Sequence, residues 1–406
     1  MRDGPPEIRS AAAAALHAGQ ALRSRTVEAR ARWIAEAADR LMPSAKLGAN
    51  VVRTLPDETG LSAPMVAWAL RTTLETVDVE PLVRLARAAS SEANEGSAPL
   101  RLLSIVLAGN VFTAVARGAA IPLLLGVPVV VKTSSRQTQF PQALKRALET
   151  VDQQLGAAMQ VVTFAGGDEA CNEALVESAD AVSVFGSDET VSAIRRRAGG
   201  RVPIQAHGHG MSAGYCSATA LGEGQFDETA DVLALDVAAY DQRGCLSPSV
   251  VFVEGTASAA VAFGVRLSKA LGDLEDSLPR GELPADVAAA QLQWRGLAEV
   301  EGTLLRGGTH AVAVVPEGFS LGPGSRNVAI VPVSGVGGAI EAMRGYARHL
   351  KCVGCDRASL PTVARGLTSE ADYHAYATPL GTMQTPSIDA PQDGRPVFEG
   401  YLRPAD

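Results

Sequence analysis

Between residues 100 and 206, short apolar segments that suit β-strands alternate with segments that suit helices. The apolar runs at residues 127–132 and 181–185 are bounded by Gly, Pro or Ser, as expected of buried strands. Residues 137–155, between them, carry apolar side chains at the helical spacing of three and four. Strands alternating with helices of this length predict an α/β fold with a doubly wound, mostly parallel sheet.

The chain around this alternating segment indicates two domains. Residues 7–90 have helical periodicity, and we predict that residues 1–220 form a helical N-terminal region with a dinucleotide-binding α/β domain. A second α/β domain is predicted for residues 221–375. The tail, residues 376–406, is rich in Pro, Gly and Asp. We predict that it is extended and completes the first domain, or that it reaches a neighbouring subunit of a homo-oligomer.

Composition excludes several classes of protein. A net charge of −8 argues against a nucleic-acid partner, which favours a basic surface. No run of 18 or more apolar residues occurs, so no membrane-spanning helix is predicted. The N-terminus has no signal-peptide pattern, and five cysteines in no disulfide pattern indicate reduced thiols and a cytoplasmic location. Cys352 and Cys355 lack a second ligand pair, so no metal site is predicted.

Cys245 follows Arg243-Gly244 in a polar turn and precedes the β-branched run at residues 250–253. This pattern predicts a thiol at the mouth of a strand, where a nucleophilic cysteine can reach a carbonyl group. A small buried side chain at a strand edge explains the same pattern, and for the turn taken alone it is the somewhat better interpretation.

Three further polar motifs lie where strands of the predicted sheet end. In chain order they are Gly109-Asn110, Lys132-Thr133-Ser134-Ser135 and Phe185-Gly186-Ser187, and the turn at Cys245 follows them. Ligands of open α/β sheets bind at the carboxyl ends of the strands. In this order and at these separations, the set resembles the aldehyde dehydrogenase superfamily.

The details are most similar to the acyl-CoA reductase branch of that superfamily, the family of the reductase subunit of bacterial-luminescence fatty-acid reductase. The tail carries this narrower resemblance through Leu350-Lys351-Cys352-Val353-Gly354-Cys355, Pro379-Leu380-Gly381-Thr382-Met383 and Pro386. The resemblance covers roughly residues 100–400. It implies an aldehyde-dehydrogenase-like fold whose second domain is catalytic.

The resemblance assigns roles residue by residue. Cys245 would be the nucleophile that accepts the acyl group, and Asn110 with the Cys245 backbone N–H would form an oxyanion hole. For Asn110, an ordinary asparagine in a turn at a strand end is the alternative. Gly186 and Ser187 would bind a pyrophosphate at a helix N-terminus, although an ordinary helix cap explains them too.

The loop Lys132, Ser134, Ser135 and Arg136 would bind the adenosine end of the cofactor. Many NAD-preferring relatives carry an acidic residue at the position of Ser135, where it binds the ribose hydroxyls. A hydroxyl with Arg136 beside it tolerates a 2′-phosphate. The resemblance therefore implies NADPH as cofactor in preference to NADH.

The sequence departs from the superfamily where aldehyde-oxidising members carry Glu-Leu-Gly-Gly-Lys. Here the stretch is Ala206-His207-Gly208-His209-Gly210, so the glutamate that activates hydrolytic water is missing. Exchange of an acyl group with a thiol needs no such base. His207 or His209 could relay a proton, although a lone histidine is more often structural. A second family glutamate, which holds the nicotinamide ribose, has no clear counterpart.

These observations predict an NADPH-dependent enzyme that reduces an acyl thioester, of CoA or of acyl-carrier protein, to an aldehyde through a thioacyl-enzyme on Cys245. Two alternatives stay open. One is an aldehyde dehydrogenase that works oxidatively with NAD(P)+. The other is a catalytically degenerate member that binds a nucleotide or a partner.

Overall fold

The computed structural model describes residues 5–92, 97–369 and 373–404, so the outermost residues of the predicted first domain and of the tail lie outside it. Residues 5–92 form five helices: α1 (Pro6–Arg23), α2 (Val27–Leu41), α3 (Lys46–Thr59), α4 (Ala63–Leu74) and α5 (Val79–Glu92). Helix α3 was not predicted, because it contains Pro56, a residue that disfavours helix interiors.

Residues 97–207 contain a five-stranded parallel sheet, as predicted. The elements are β1 (Ser97–Pro99), β2 (Leu103–Val106), α6 (Ala114–Leu124), β3 (Val129–Lys132), α7 (Gln139–Val151), α8 (Gln153–Ala157), β4 (Met159–Val162), α9 (Glu169–Glu177), β5 (Ala181–Phe185), α10 (Asp188–Ala198) and β6 (Ile204–His207). The strand order is β4-β3-β2-β5-β6. The carboxyl ends of β3, β2 and β5, with their polar motifs, therefore lie side by side.

The rest of the described chain builds a second sheet with helices around it. Its elements are β7 (Met211–Cys216), α11 (Phe226–Ala238), β8 (Pro248–Glu254), α12 (Ala257–Asp273), α13 (Ala285–Glu301), β9 (Thr303–Arg306), β10 (Ala311–Val314), β11 (Asn327–Val333), α14 (Val336–Met343), β12 (Leu350–Cys355), α15 (Leu360–Ser369), β13 (Tyr376–Pro379) and β14 (Leu402–Pro404). Gly335 is the N-cap of α14, so the glycine-rich residues 336–338 form the first turn of this helix.

The second sheet has seven strands in the order β13-β12-β7-β8-β11-β10-β9, parallel except for β9. Strand β7 pairs with β8 and β12, so this sheet begins ahead of residue 220, where the sequence placed the domain boundary. The tail contributes β13 to this sheet and pairs β14 with β1. The tail therefore contacts both halves of the molecule.

Apolar clusters cover both faces of each sheet. One cluster joins helices α2 to α7 to the five-stranded sheet and includes Tyr240 and Tyr401 from beyond it. A second fills the opposite face against α1, α9 and α10, and two further clusters cover the seven-stranded sheet. Within the described residues, no helix has the length and apolarity needed to cross a bilayer.

Candidate active site

Cys245 lies in the turn between α11 and β8, and its side chain is exposed, as the sequence predicts for a thiol at the mouth of a strand. Three consecutive residues before it, Tyr240, Asp241 and Gln242, have left-handed backbone angles, with φ of 52°, 51° and 58°. Side chains rarely adopt this conformation, and it persists only where surrounding contacts fix it.

Buried polar contacts fix Asp241 and Gln242 in this conformation. Asp241 Oδ1 accepts a hydrogen bond from Arg326 Nη2 at 2.8 Å, and both side chains are almost completely buried. Gln242 Nε2 donates to the carbonyl oxygens of Pro248 (2.8 Å) and Asn327 (3.0 Å). The Asn327 N–H donates back to Gln242 Oε1 at 2.8 Å. The turn is thus anchored to β8 and to the start of β11.

The first half of the molecule also supports the turn. The Tyr240 hydroxyl hydrogen-bonds with Thr113 Oγ1 at 2.7 Å and with Thr73 Oγ1 at 3.2 Å. The Arg243 guanidinium donates to the carbonyl of Thr59 at the end of α3. The backbone that carries the thiol is therefore positioned from both sheets and from the N-terminal helices.

Asn110 lies beside the cysteine turn, as the resemblance implies. Its Nδ2 donates to the carbonyl of Arg243 at 3.3 Å, and its Oδ1 accepts the N–H of Val111 at 3.0 Å. An amide group carries two N–H bonds, so one remains for a ligand. From the other side, Ser212 Oγ donates to the carbonyl of Cys245 at 2.8 Å. The end of β2 and the nucleophile turn therefore face one another.

The loop after β3 carries the predicted adenosine-binding residues. Lys132 is buried, and its Nζ lies 5.4 Å from the ring centre of Phe164. Burial lowers the pKa of the Lys132 ammonium below its ordinary value. The Arg136 N–H donates to Ser134 Oγ at 3.3 Å, and Ser135 and Arg136 are exposed at the tip of the loop.

The next strand end carries Gly186 and Ser187. Ser187 caps α10, and its Oγ accepts the N–H of Thr190 at 3.4 Å. Asp188 Oδ1 accepts the N–H of His209 at 3.1 Å, so this carboxylate is directed to the loop after β6. The helix N-terminus thus joins the strand ends that carry Asn110 and Lys132 at one edge of the sheet.

His207, at the end of β6, contacts a group that the sequence did not predict. Its ring stacks on Phe185 with centroids 4.4 Å apart, and its Nδ1 lies 2.7 Å from Asp393 Oδ2. Asp393 Oδ1 accepts a hydrogen bond from Lys351 Nζ. Burial acts to raise the pKa of Asp393, but the His207 hydrogen bond and the Lys351 charge together lower it to about 2. Of the two predicted relay histidines, His207 contacts Asp393.

The electrostatic setting of Cys245 combines opposing effects. Although the residue is exposed, the protein packed around its sulfur desolvates the thiolate, and this raises the pKa of the thiol above its ordinary value. The positive charge of Lys351 acts to lower that pKa, while the negative charge of Asp393 acts to raise it. The two charges therefore act on the pKa of the thiol in opposite directions.

A family model described as acyl-CoA reductase (LuxC) matches residues 33–395 of the chain. The chain belongs to this family. A search of curated proteins finds no match to the sequence. Membership of the acyl-CoA reductase (LuxC) family makes the protein an NAD(P)-dependent oxidoreductase that acts on an acyl substrate.

Solved structures confirm the fold of this acyl-CoA reductase family member. The chain is 16% identical to aldehyde dehydrogenase 21 from Physcomitrella patens, solved with the reaction product succinate; the TM-score is 0.75, with 98% of this chain and 89% of the other covered. A γ-glutamyl-γ-aminobutyraldehyde dehydrogenase from Burkholderia cenocepacia J2315 gives a TM-score of 0.72 at 16% identity, with 92% and 80% covered. A 3,6-anhydro-L-galactose dehydrogenase in complex with NAP gives 0.70 at 16% identity, with 98% and 91% covered.

Sequence reasoning missed several residues of this acyl-CoA reductase site. Lys351 lies within a stretch that carries the family resemblance, yet nothing in its neighbours indicated that its charge acts on Cys245. Asp393 lies in the tail, for which the sequence predicted only an extended conformation. Ser212 lies in β7, whose small residues gave no strand signal. The pairing of β7 with β8 and β12 brings Ser212 and Lys351 towards Cys245, and the return of the tail brings Asp393 to Lys351.

Proposed function

We propose that the chain reduces an acyl thioester of CoA or acyl-carrier protein to an aldehyde with NADPH, through a thioacyl-enzyme on Cys245. The observation that carries this proposal is the position of the Asn110 amide beside the exposed cysteine turn, 3.3 Å from the carbonyl of Arg243. A nucleophile and a neutral N–H donor in this arrangement suit acyl transfer.

In the acylation step, the thiolate of Cys245 attacks the thioester carbonyl and forms a new C–S bond. The free N–H of Asn110 and the backbone N–H of Cys245 would stabilise the oxyanion, and losing such a donor costs about 3–4 kcal/mol in transition-state energy. Collapse of the intermediate breaks the bond to the leaving thiol, which takes up a proton. The acyl group then remains on Cys245.

The residues at the edge of the five-stranded sheet fit a dinucleotide. The first N–H groups of α10 suit a pyrophosphate. Lys132 is buried, and no carboxylate of a described residue forms an ion pair with it, so its ammonium can bind ribose hydroxyls. When bound, the nicotinamide nucleotide supplies a hydride to the acyl carbon. Cys245 then leaves as a thiolate, and the aldehyde is released.

The contacts of Asp393 favour reduction over hydrolysis of the acyl-enzyme. Ala206 stands in place of the hydrolytic glutamate, and Asp393 is the carboxylate whose charge acts on the Cys245 thiol, so we consider it as the candidate base. Its two carboxylate oxygens are occupied by Lys351 and His207, and its pKa is lowered to about 2. A carboxylate so engaged is a poor base towards water. An acyl group on Cys245 would therefore react with hydride in preference to water.

Mass spectrometry of the enzyme with acyl-CoA tests this proposal. Without NADPH, the peptide that contains Cys245 should gain the acyl mass, and adding NADPH should discharge it as aldehyde. Cys245→Ala should lose turnover and keep nucleotide binding, while Cys171→Ala, at a thiol on α9, should keep both. Discharge as free acid would favour the oxidative alternative, and absence of any adduct would contradict acyl transfer.

The preference for NADPH is tested at the tip of the loop after β3. Ser135→Glu places a negative charge where the 2′-phosphate would lie, so KM for NADPH should rise more than KM for NADH. Ser135→Gln has a similar size without the charge and serves as the control. Equal effects of both variants on the two cofactors would place the 2′-phosphate elsewhere.

A further inference from the structure

Lys351 lies at an irregularity in β12 beside the nucleophile. The pairing of β12 with β7 shifts its register between Leu350 and Cys352, so Lys351 is the extra residue of a β-bulge. Bulges redirect side chains and are common next to active sites. Ser212, which pairs with Cys352, donates its hydroxyl to the carbonyl of Cys245 at 2.8 Å. The bulge and the nucleophile thus share a supporting residue.

The surroundings of Lys351 direct its side chain along a defined path. A Cβ added at Gly210 would lie 2.3 Å from Lys351 Cε, so a glycine is needed there for the side chain to pass. The side chain is 15% exposed, and its Nζ donates to Asp393 Oδ1. The other oxygen of Asp393 contacts His207 at 2.7 Å. A mostly buried cation is thereby held in place by residues 207–210 and by the tail.

Four titratable groups from β12, β13 and the tail interact electrostatically with the Cys245 thiol. They are Lys351, Cys352, Tyr376 and Asp393. Burial raises the pKa of Cys352 and of Tyr376, which keeps both neutral near neutral pH. Lys351 and Asp393 are therefore the charged members of this group, and they have opposite signs.

We infer that Lys351 is a positioning residue whose charge favours the thiolate of Cys245, and that Asp393 holds Lys351 in place and limits its effect. This inference rests on the role proposed for Cys245. It concerns the free enzyme, before acyl-CoA or nucleotide binds. Its test can therefore fail while the acyl transfer chemistry succeeds, and the reverse also holds.

The test measures alkylation of Cys245 by iodoacetamide as a function of pH, quantified by peptide mass spectrometry. Lys351→Met should move the midpoint upward by about one pH unit, which slows alkylation at neutral pH about tenfold. Lys351→Arg keeps the charge and should keep the midpoint. Asp393→Asn removes the opposing charge and should move the midpoint downward. Cys171, remote in sequence on α9, is the internal control, and its rate should stay constant.

Gly210→Ala provides a second route that leaves Lys351 in the sequence. The three atoms nearest to the added methyl group are Cγ, Cδ and Cε of Lys351, so this flexible side chain should move aside, the protein should still fold and the Cys245 midpoint should rise. An unchanged midpoint in both Lys351→Met and Gly210→Ala would overturn the inference. The inference would also be overturned if Lys351→Met and Asp393→Asn moved the alkylation midpoint in the same direction. Residues with a purely structural role have no reason to move it in opposite directions.

Discussion

The turn at Gly186-Ser187 and the turn at Cys245 both follow a buried segment, yet different forces hold them. The first is local, because Ser187 caps the helix that it begins and bonds Thr190 only three residues away. The second has three left-handed residues, fixed by Arg326, Asn327 and Thr113 from distant parts of the chain. The turn proposed to bind the nucleotide is thus encoded by neighbours in sequence, and the turn of the proposed nucleophile by tertiary contacts.

The two turns differ in what stabilises them: the first depends on the conformational preference of its own residues, and the second on contacts with distant residues. A capped helix end forms wherever its sequence is placed, since its hydrogen bonds close within one turn. The cysteine turn is unfavourable by itself and exists because buried partners compensate its strain. Substitutions in the two turns should therefore change the free energy of unfolding by different amounts and, at one position, in opposite directions.

The largest effect is expected from Arg326→Met. Arg326 is fully buried and contacts both Asp241 and Glu275 at 2.8 Å, so the substitution takes the closer cation from the buried Asp241 carboxylate and leaves Arg243 Nη2, which lies 3.7 Å from Asp241 Oδ2. Breaking such a pair costs about 3–5 kcal/mol in the free energy of unfolding. Urea titration followed by circular dichroism measures the loss. The double variant with Asp241→Asn should recover part of it, and a simple sum of the two single losses would contradict a direct pair.

A somewhat smaller loss in the free energy of unfolding is expected when the pH is lowered. The pKa of Asp393 is lowered from 3.8 to about 2, so its contribution is complete above pH 3.8 and is lost as the pH falls from there towards 2. By linkage, the contribution is about 2.5 kcal/mol. The difference in unfolding free energy between the wild type and Asp393→Asn should therefore shrink across that interval. A constant difference would mean that Asp393 is not held as an ion.

At position 242 a glycine variant should be more stable than an alanine variant, which is the reverse of the usual order in helices and strands. Both Gln242→Ala and Gln242→Gly remove the same side-chain hydrogen bonds, but φ of 58° favours glycine. The glycine variant should be more stable than the alanine variant by about 1–2 kcal/mol. In helix α10 the matched change Ala193→Gly should instead destabilise by about 1 kcal/mol. Thermal unfolding of the three variants measures the effect of glycine relative to alanine at both positions. If glycine were the less stable residue at both, the two turns would not differ in this way.

The smallest effect is expected from Ser187→Ala. It removes one cap hydrogen bond and should cost about 1 kcal/mol in the free energy of unfolding. NADPH affinity, measured by fluorescence titration, should fall modestly, and alkylation of Cys245 should not change. Ser187→Thr retains a capping hydroxyl and should behave as the wild type. Loss of Cys245 reactivity in Ser187→Ala would show that the two turns are coupled.

The sequence predicted most of what is local. The five-stranded sheet is confirmed, because apolar strand segments that alternate with helical ones specify it. Strand β7 was missed because its Ala, Gly and Ser residues have weak strand propensity, although the strand is fully buried. Lys351 and Asp393 are 42 positions apart, and their contact depends on the return of the tail. No spacing rule predicts such a pairing.

The distant supports of the cysteine turn have a consequence for how this family can vary over evolutionary time. Replacing Asp241 or Arg326 alone breaks a buried ion pair, so a change at one position favours a compensating change at the other. Ser135 and Arg136 are exposed and can change one at a time. Under the proposed function, cofactor preference can therefore be altered by single substitutions, whereas the support of Cys245 is altered by paired ones.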